Sequence, residues 1–211
     1  MVTDLADRGI ALAEIALEAR DGIQPAGSEL VPGQAVVQAI HQLRWAWALL
    51  FAGGEVPAKA LGRLVCEFVL LFWYATLLPE RTSGWLDPAL PVPKFARIWS
   101  KVGARAVAED PELVLLPVLY THLSRASHFD PLVFAFSFRW RNDAPEFFPA
   151  EAPLDRIGIH RAAEMLLPLT SLALGALARW METDSSNWWQ REEVAYREEV
   201  ANWNALEDEP A

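Results

Sequence analysis

The sequence predicts an all-α fold, a single-domain bundle of six or seven helices with a short β-hairpin or extended insert near residues 132–149. Three observations predict it. Apolar residues recur at helical spacing along most of the chain, between Gly and Pro breaks. Only around 132–149 does the period change from helical to alternating. Apolar residues make up 53% of 211 residues, with 10 Trp and 10 Phe, which supplies a large core and argues against disorder. A chain of this length fits one domain and buries roughly 70% of its unfolded surface.

The elements follow in order. Residues 3–21 carry Leu5, Ile10, Leu12, Ile15 and Leu17 among acids, a first amphipathic helix that Gly22 and the stretch 25–33 interrupt. Residues 34–52 place Val36, Val37, Ile40, Leu43, Trp47 and Leu50 at helical spacing, and Gly53-Gly54 ends them. Residues 57–78 form the most apolar helix, stopped by Pro79, and the Pro-rich segment 80–93 is a loop. A fourth helix covers 93–108. Asp110-Pro111-Glu112 then opens a helix running to His128, with an acceptor at the cap, Pro at the first position and an acid in the first turn. Pro117 either kinks that helix or marks its true start, with 111–116 a separate turn. Phe134, Phe136, Phe138 and Trp140 alternate with smaller or polar residues, and Asn142 to Pro145 reads as a turn. Residues 154–182 are a long helix bent at Pro168. Residues 187–206 repeat Trp189, Tyr196, Val200 and Trp203 between charges, an amphipathic helix that docks on the bundle or on another subunit. The chain therefore divides into a bundle domain, 1–182, and an acidic C-terminal helix and tail, 183–211.

Formal net charge is −10, and residues 181–211 hold nine acids against two arginines, a local −7. The main body is thus only mildly acidic, and nucleic acid is disfavoured rather than excluded. The single Cys66 makes no internal disulfide, and the N-terminus lacks a basic-then-apolar leader pattern. Both fit a reducing cytoplasm. The longest apolar run, 68–78, is short of the ~20 residues that cross a bilayer, and the uncharged stretch 165–178 contains Pro168 and Gly175. Both read as buried bundle helices, and no membrane is expected.

The chemistry concentrates in two places. Tyr120, Ser124 and His128 are spaced four apart, so a helix stacks a phenol, a hydroxyl and an imidazole in one column. Arg63 and Glu67, also four apart, lie on the most apolar helix, where buried charges need partners. The two sets are expected to meet across the bundle, as a packing network or as the lining of a pocket. In the pocket reading Arg63 holds an anionic or carbonyl group. His128 acts as acid or base, oriented by Ser124 or Glu67, with Glu67 and Tyr120 as its catalytic partners. The segment from Phe134 to Trp140 covers the site, which places Trp140 against the ligand.

Arg63-x-x-x-Glu67, followed by Tyr120-Thr-His-Leu-Ser124-Arg-Ala-Ser-His128-Phe-Asp-Pro131, resembles a family of uncharacterised bacterial helical proteins. The resemblance covers residues ~35–182 and implies a helical fold without implying an activity. A more distant likeness is to HEPN bundles, some of which are metal-independent ribonucleases using an Arg and a His with four to six residues between them at a dimer interface. It implies an interaction module, or a nucleotide- or RNA-binding one, of a bacterial defence or toxin system; the amphipathic C-terminal helix independently offers a homodimer surface. This chain departs from that spacing. Arg125 and His128 have two residues between them, Arg156 and His160 three, and His41 precedes Arg44.

A metal-dependent bundle enzyme is a further alternative. His160 and Glu164 share a face and, with Glu67 and His128, form a conceivable ligand set. The chain lacks the Glu-x-x-His pairs of di-iron bundles, so no metal or other cofactor is expected. Lys94, Arg97, Lys101 and Arg105 form a basic stripe opposite Phe95, Ile98, Trp99 and Val102, either a solvated face or a surface for an anionic ligand, RNA, a partner's acidic surface or this protein's own acidic tail in a dimer. Gly-x-Ser-x-Gly, Walker, dinucleotide-glycine and CxxC motifs are absent.

Overall fold

The computed structural model describes residues 2–19, 30–82, 94–127, 138–141, 144–147, 156–181 and 187–207. Seven α-helices lie among them: α1 (Val2–Ala19), α2 (Leu30–Phe51), α3 (Glu55–Leu77), α4 (Phe95–Glu109), α5 (Leu116–Ser127), α6 (Arg156–Met181) and α7 (Asn187–Glu207). The all-α bundle is therefore observed.

At its centre is α6. From Leu169 to Leu177 every residue is buried, so this helix is apolar all round and is enclosed by α1, α2, α3 and α7. Pro168 sits inside it and removes the amide that would bond the Glu164 carbonyl. The helix tolerates this as one continuous element. Thr170 caps two needs at once, donating to the Leu166 carbonyl (2.8 Å) and accepting from Trp47 Nε1 (3.1 Å). The stretches 55–77 and 160–181 are long and apolar enough to cross a membrane by length and composition alone, yet 72% of the 18-residue apolar window of the second is buried within the fold.

The α2–α3 hairpin turns on Gly53, whose φ of 86° suits a residue without Cβ. Gly53 N donates to Leu50 O (2.9 Å) and Gly54 N to Leu49 O (2.7 Å), the paired bonds of a Schellman cap. The expected boundary of α2 needs correction. Pro32 and Gly33 lie inside its first turn rather than in the preceding break, because Pro costs no hydrogen bond there. Of the two readings of Pro117, the second holds. Pro111–Leu115 is a separate 3-10 turn, and α5 starts at Leu116. Asp110 Oδ1 accepts from Glu112 N at 3.2 Å, as the cap signal implied.

Phe138–Arg141 and Ala144–Phe147 pair antiparallel, with Trp140 opposite Pro145. Residues 132–137, 142–143 and 148–149 of the segment expected to form an insert lie outside the described residues. The C-terminal helix docks on its own bundle, against α1 and α6, with Tyr196 and Val200 buried. The side chains of Trp189 and Trp203 lie outside the described set.

Candidate functional site

The site is built where α3, α4 and α5 meet. Burial of Val65, Cys66, Val69 and Leu70 orients α3 and leaves Arg63 and Glu67 half-exposed toward α4 and α5. Arg63 Nε and Nη2 each lie 3.1 Å from Glu67 Oε1. On α5, Leu116, Leu119 and Leu123 face the core while Val114, Leu115 and Val118 around them are exposed. That rotation brings Tyr120 to the α3 face. Its hydroxyl donates to the same Glu67 oxygen at 3.4 Å. Its ring stacks on Phe95 of α4, centroids 3.9 Å apart and planes within 5°. The Arg63 guanidinium lies 6.0 Å from the Tyr120 ring centre, at the edge of cation–π reach.

These side chains border a cavity of about 610 Å³. Its floor is apolar, with Leu70, Phe95 and Ile98 buried and Phe68 and Leu71 half-buried. Its rim is polar, formed by Arg63, Glu67, Tyr120 and Lys94, with the exposed Ala96 between. Drug-sized ligands occupy cavities of about 300–1,000 Å³ with mostly apolar walls and a few convergent polar groups. This cavity has that form.

The structure thus brings together three of the residues expected to converge, Arg63, Glu67 and Tyr120. Ser124 follows Tyr120 by one turn and is half-buried, but it does not line the cavity. His128 lies outside the described residues, as does the side chain of Trp140. His160 Nε2 meets Glu164 Oε1 at 3.5 Å on an exposed face, with neither near the Arg63–Glu67 pair in the lining of the cavity. Among the described residues no three His, Cys, Asp or Glu side chains cluster as metal ligands. Cys66 is fully buried, and burial followed by the neighbouring Glu67 charge pushes its thiol well above the ordinary range. It is a core residue rather than a nucleophile. The basic stripe is exposed along α4, opposite buried Phe95, Ile98 and Val102.

A second polar cluster escapes sequence reasoning. Arg197 of α7 reaches Asp110 through both terminal nitrogens at 3.0 Å each, a bidentate pair. It also meets Glu112 at 3.1 Å and pairs with Glu193 one turn back. The guanidinium crosses α6 at Gly175, where a Cβ would overlap it and lie 2.9 Å from its central carbon. Burial raises the carboxyl pKa of both Glu112 and Glu193, and in each case Arg197 opposes the rise. The Glu193/Arg197 spacing and a glycine inside the apolar run 169–177 are the two sequence signals that point to this clasp.

No family model, curated protein or solved structure matches this chain.

Proposed function

We propose that this protein binds a small molecule in the α3–α4–α5 cavity, with the ligand's apolar body on the floor and an anionic or carbonyl-bearing head at the Arg63–Glu67–Tyr120 rim. One observation carries the reading. Three polar side chains from two helices converge on the mouth of a 610 Å³ cavity whose floor is apolar. A packing network alone has no need of such a space, because cores of this kind close to near-crystalline density. Binding, rather than a covalent reaction, is the activity these residues support. Glu67 Oε1 already accepts from Arg63 and Tyr120, which fits a positioning role. A hairpin insert near 132–149 belongs to the same reading, supported by the antiparallel register of Phe138–Arg141 with Ala144–Phe147.

The test is a ligand-observed NMR screen of small carboxylates, ketones, alcohols and amines against wild type and Ala96→Trp. Ala96 is exposed on the rim, so an indole there blocks the mouth without entering the core. Binding to wild type that is lost in Ala96→Trp supports the cavity. Hits that persist in the blocked variant, or no hits at all, overturn it.

A further inference from the structure

Resting on that reading, we infer that the ligand is an apolar monocarboxylate, a molecule with a single carboxylate head on an alkyl or aryl body. The charge count at the rim selects the head. Among the described lining residues, Arg63 and Lys94 are the cations and Glu67 the anion. Arg63 is engaged by Glu67 through two nitrogens, so that pair is close to neutral. Lys94 has no carboxylate within ion-pair distance among the described residues. One cation is therefore in excess, which matches one negative charge better than two.

The surroundings act in the same direction. Behind Lys94, α4 carries Arg97, Lys101 and Arg105 on its exposed face, and its only acid, Glu109, is at the far end. The described exposed face of α4 is therefore positive although the chain as a whole is at −10. A monoanion is drawn to it and a cation repelled. The body of the ligand is selected by the floor. Phe68, Leu70, Leu71, Phe95 and Ile98 offer no hydrogen-bonding side chain, so a polar body such as a sugar would lose its water contacts without replacement. An alkyl or aryl body loses nothing there and is favoured by leaving water.

Three probes of equal chain length separate the possibilities: octanoate, octanol and octylamine, titrated by isothermal calorimetry at low and high salt. Octanoate should bind tightest, by about fivefold over octanol, the equivalent of one partly exposed ion pair of roughly 1 kcal/mol. Lys94→Gln should erase that margin while leaving octanol nearly unchanged, and high salt should shrink it. Glu67→Gln should move octanoate and octylamine in opposite directions, raising the first and lowering the second. If octylamine or octanol binds as well as octanoate, and Ala96→Trp still blocks them, the carboxylate assignment is overturned while the cavity stands. If none of the three binds in an Ala96→Trp-sensitive manner, the cavity reading fails with it.

Discussion

Gly175→Ala should destabilise this protein, although the same change in an ordinary helix stabilises it. The reason is the Arg197 guanidinium, which crosses α6 where the new methyl would stand. Displacing it breaks a bidentate pair with Asp110 in which Arg197 is 18% and Asp110 9% exposed. Removing one partner of a buried pair costs about 3 kcal/mol at the lower end of the usual range. Replacing Gly by Ala in a helix interior returns about 1 kcal/mol. The net expectation is a loss of about 2 kcal/mol, or a urea midpoint lower by about 1 M at a slope of about 2 kcal/mol/M. In an Arg197→Ala background the clasp is already gone. Of the three atoms nearest the methyl, that leaves Asp110 Oδ2 at 3.0 Å. There Gly175→Ala should stabilise by up to about 1 kcal/mol. The assay is urea unfolding of wild type, both single variants and the double variant, followed by far-UV circular dichroism. A reversal of sign between the two backgrounds is the expected result. Equal effects in both, or a stabilised single variant, would refute the clasp.

Three further outcomes are expected. Burial raises the carboxyl pKa of Glu112 and Glu193, so the folded state takes up their protons more readily than the unfolded chain. Their contribution is fully present below the unfolded glutamate value of about 4.3 and is lost as pH rises through the raised folded values. Wild type should therefore lose stability relative to the Glu112→Gln/Glu193→Gln variant as pH rises from about 4.3 through the raised folded values, and a flat difference would contradict this. Cys66 should resist an aromatic disulfide reagent in the native state and react at the rate of unfolding, since it is fully buried and its thiol pKa is raised; rapid native labelling would mean α3 is not packed as described. Tyr120→Phe should cost less than about 1 kcal/mol, because the stacking on Phe95 survives and the lost bond to Glu67 is long at 3.4 Å. A loss of several kcal/mol in thermal or urea unfolding would make that hydroxyl part of a tighter network.

Much of this architecture was legible in the residues because helices announce themselves locally. The Asp110-Pro111-Glu112 start, the Gly53-Gly54 stop and the apolar periods of α2 to α4 are contained in windows of a few turns. Pro32 and Gly33 misled because both are breakers in a helix interior and harmless in a first turn, and only the position of Leu30 decides which applies. For the site, i,i+4 spacing placed Arg63 with Glu67, and Tyr120 was expected to face them; the structure brings all three to one cavity rim. The Phe95–Tyr120 stack and the position of Lys94 depend on how α4 approaches α3, and no local pattern encodes that approach. The pairing of Arg197 with Asp110 was illegible for the same reason, although the Glu193/Arg197 spacing and Gly175 are local signals of the clasp. Its partner Asp110 lies 87 residues away in the chain, and Asp110 already had a sufficient local explanation as a cap.

The central claim is that the α3–α4–α5 cavity admits a small amphipathic molecule. The most direct measurement is the methyl NMR spectrum of protein labelled at Leu and Ile, recorded during titration with octanoate in wild type and in Ala96→Trp. Saturable shifts on Leu70, Leu71 and Ile98 in wild type, absent in the blocked variant, are the result expected from this cavity. Shifts confined to other parts of the bundle, or none at concentrations where the probe remains monomeric, would contradict it.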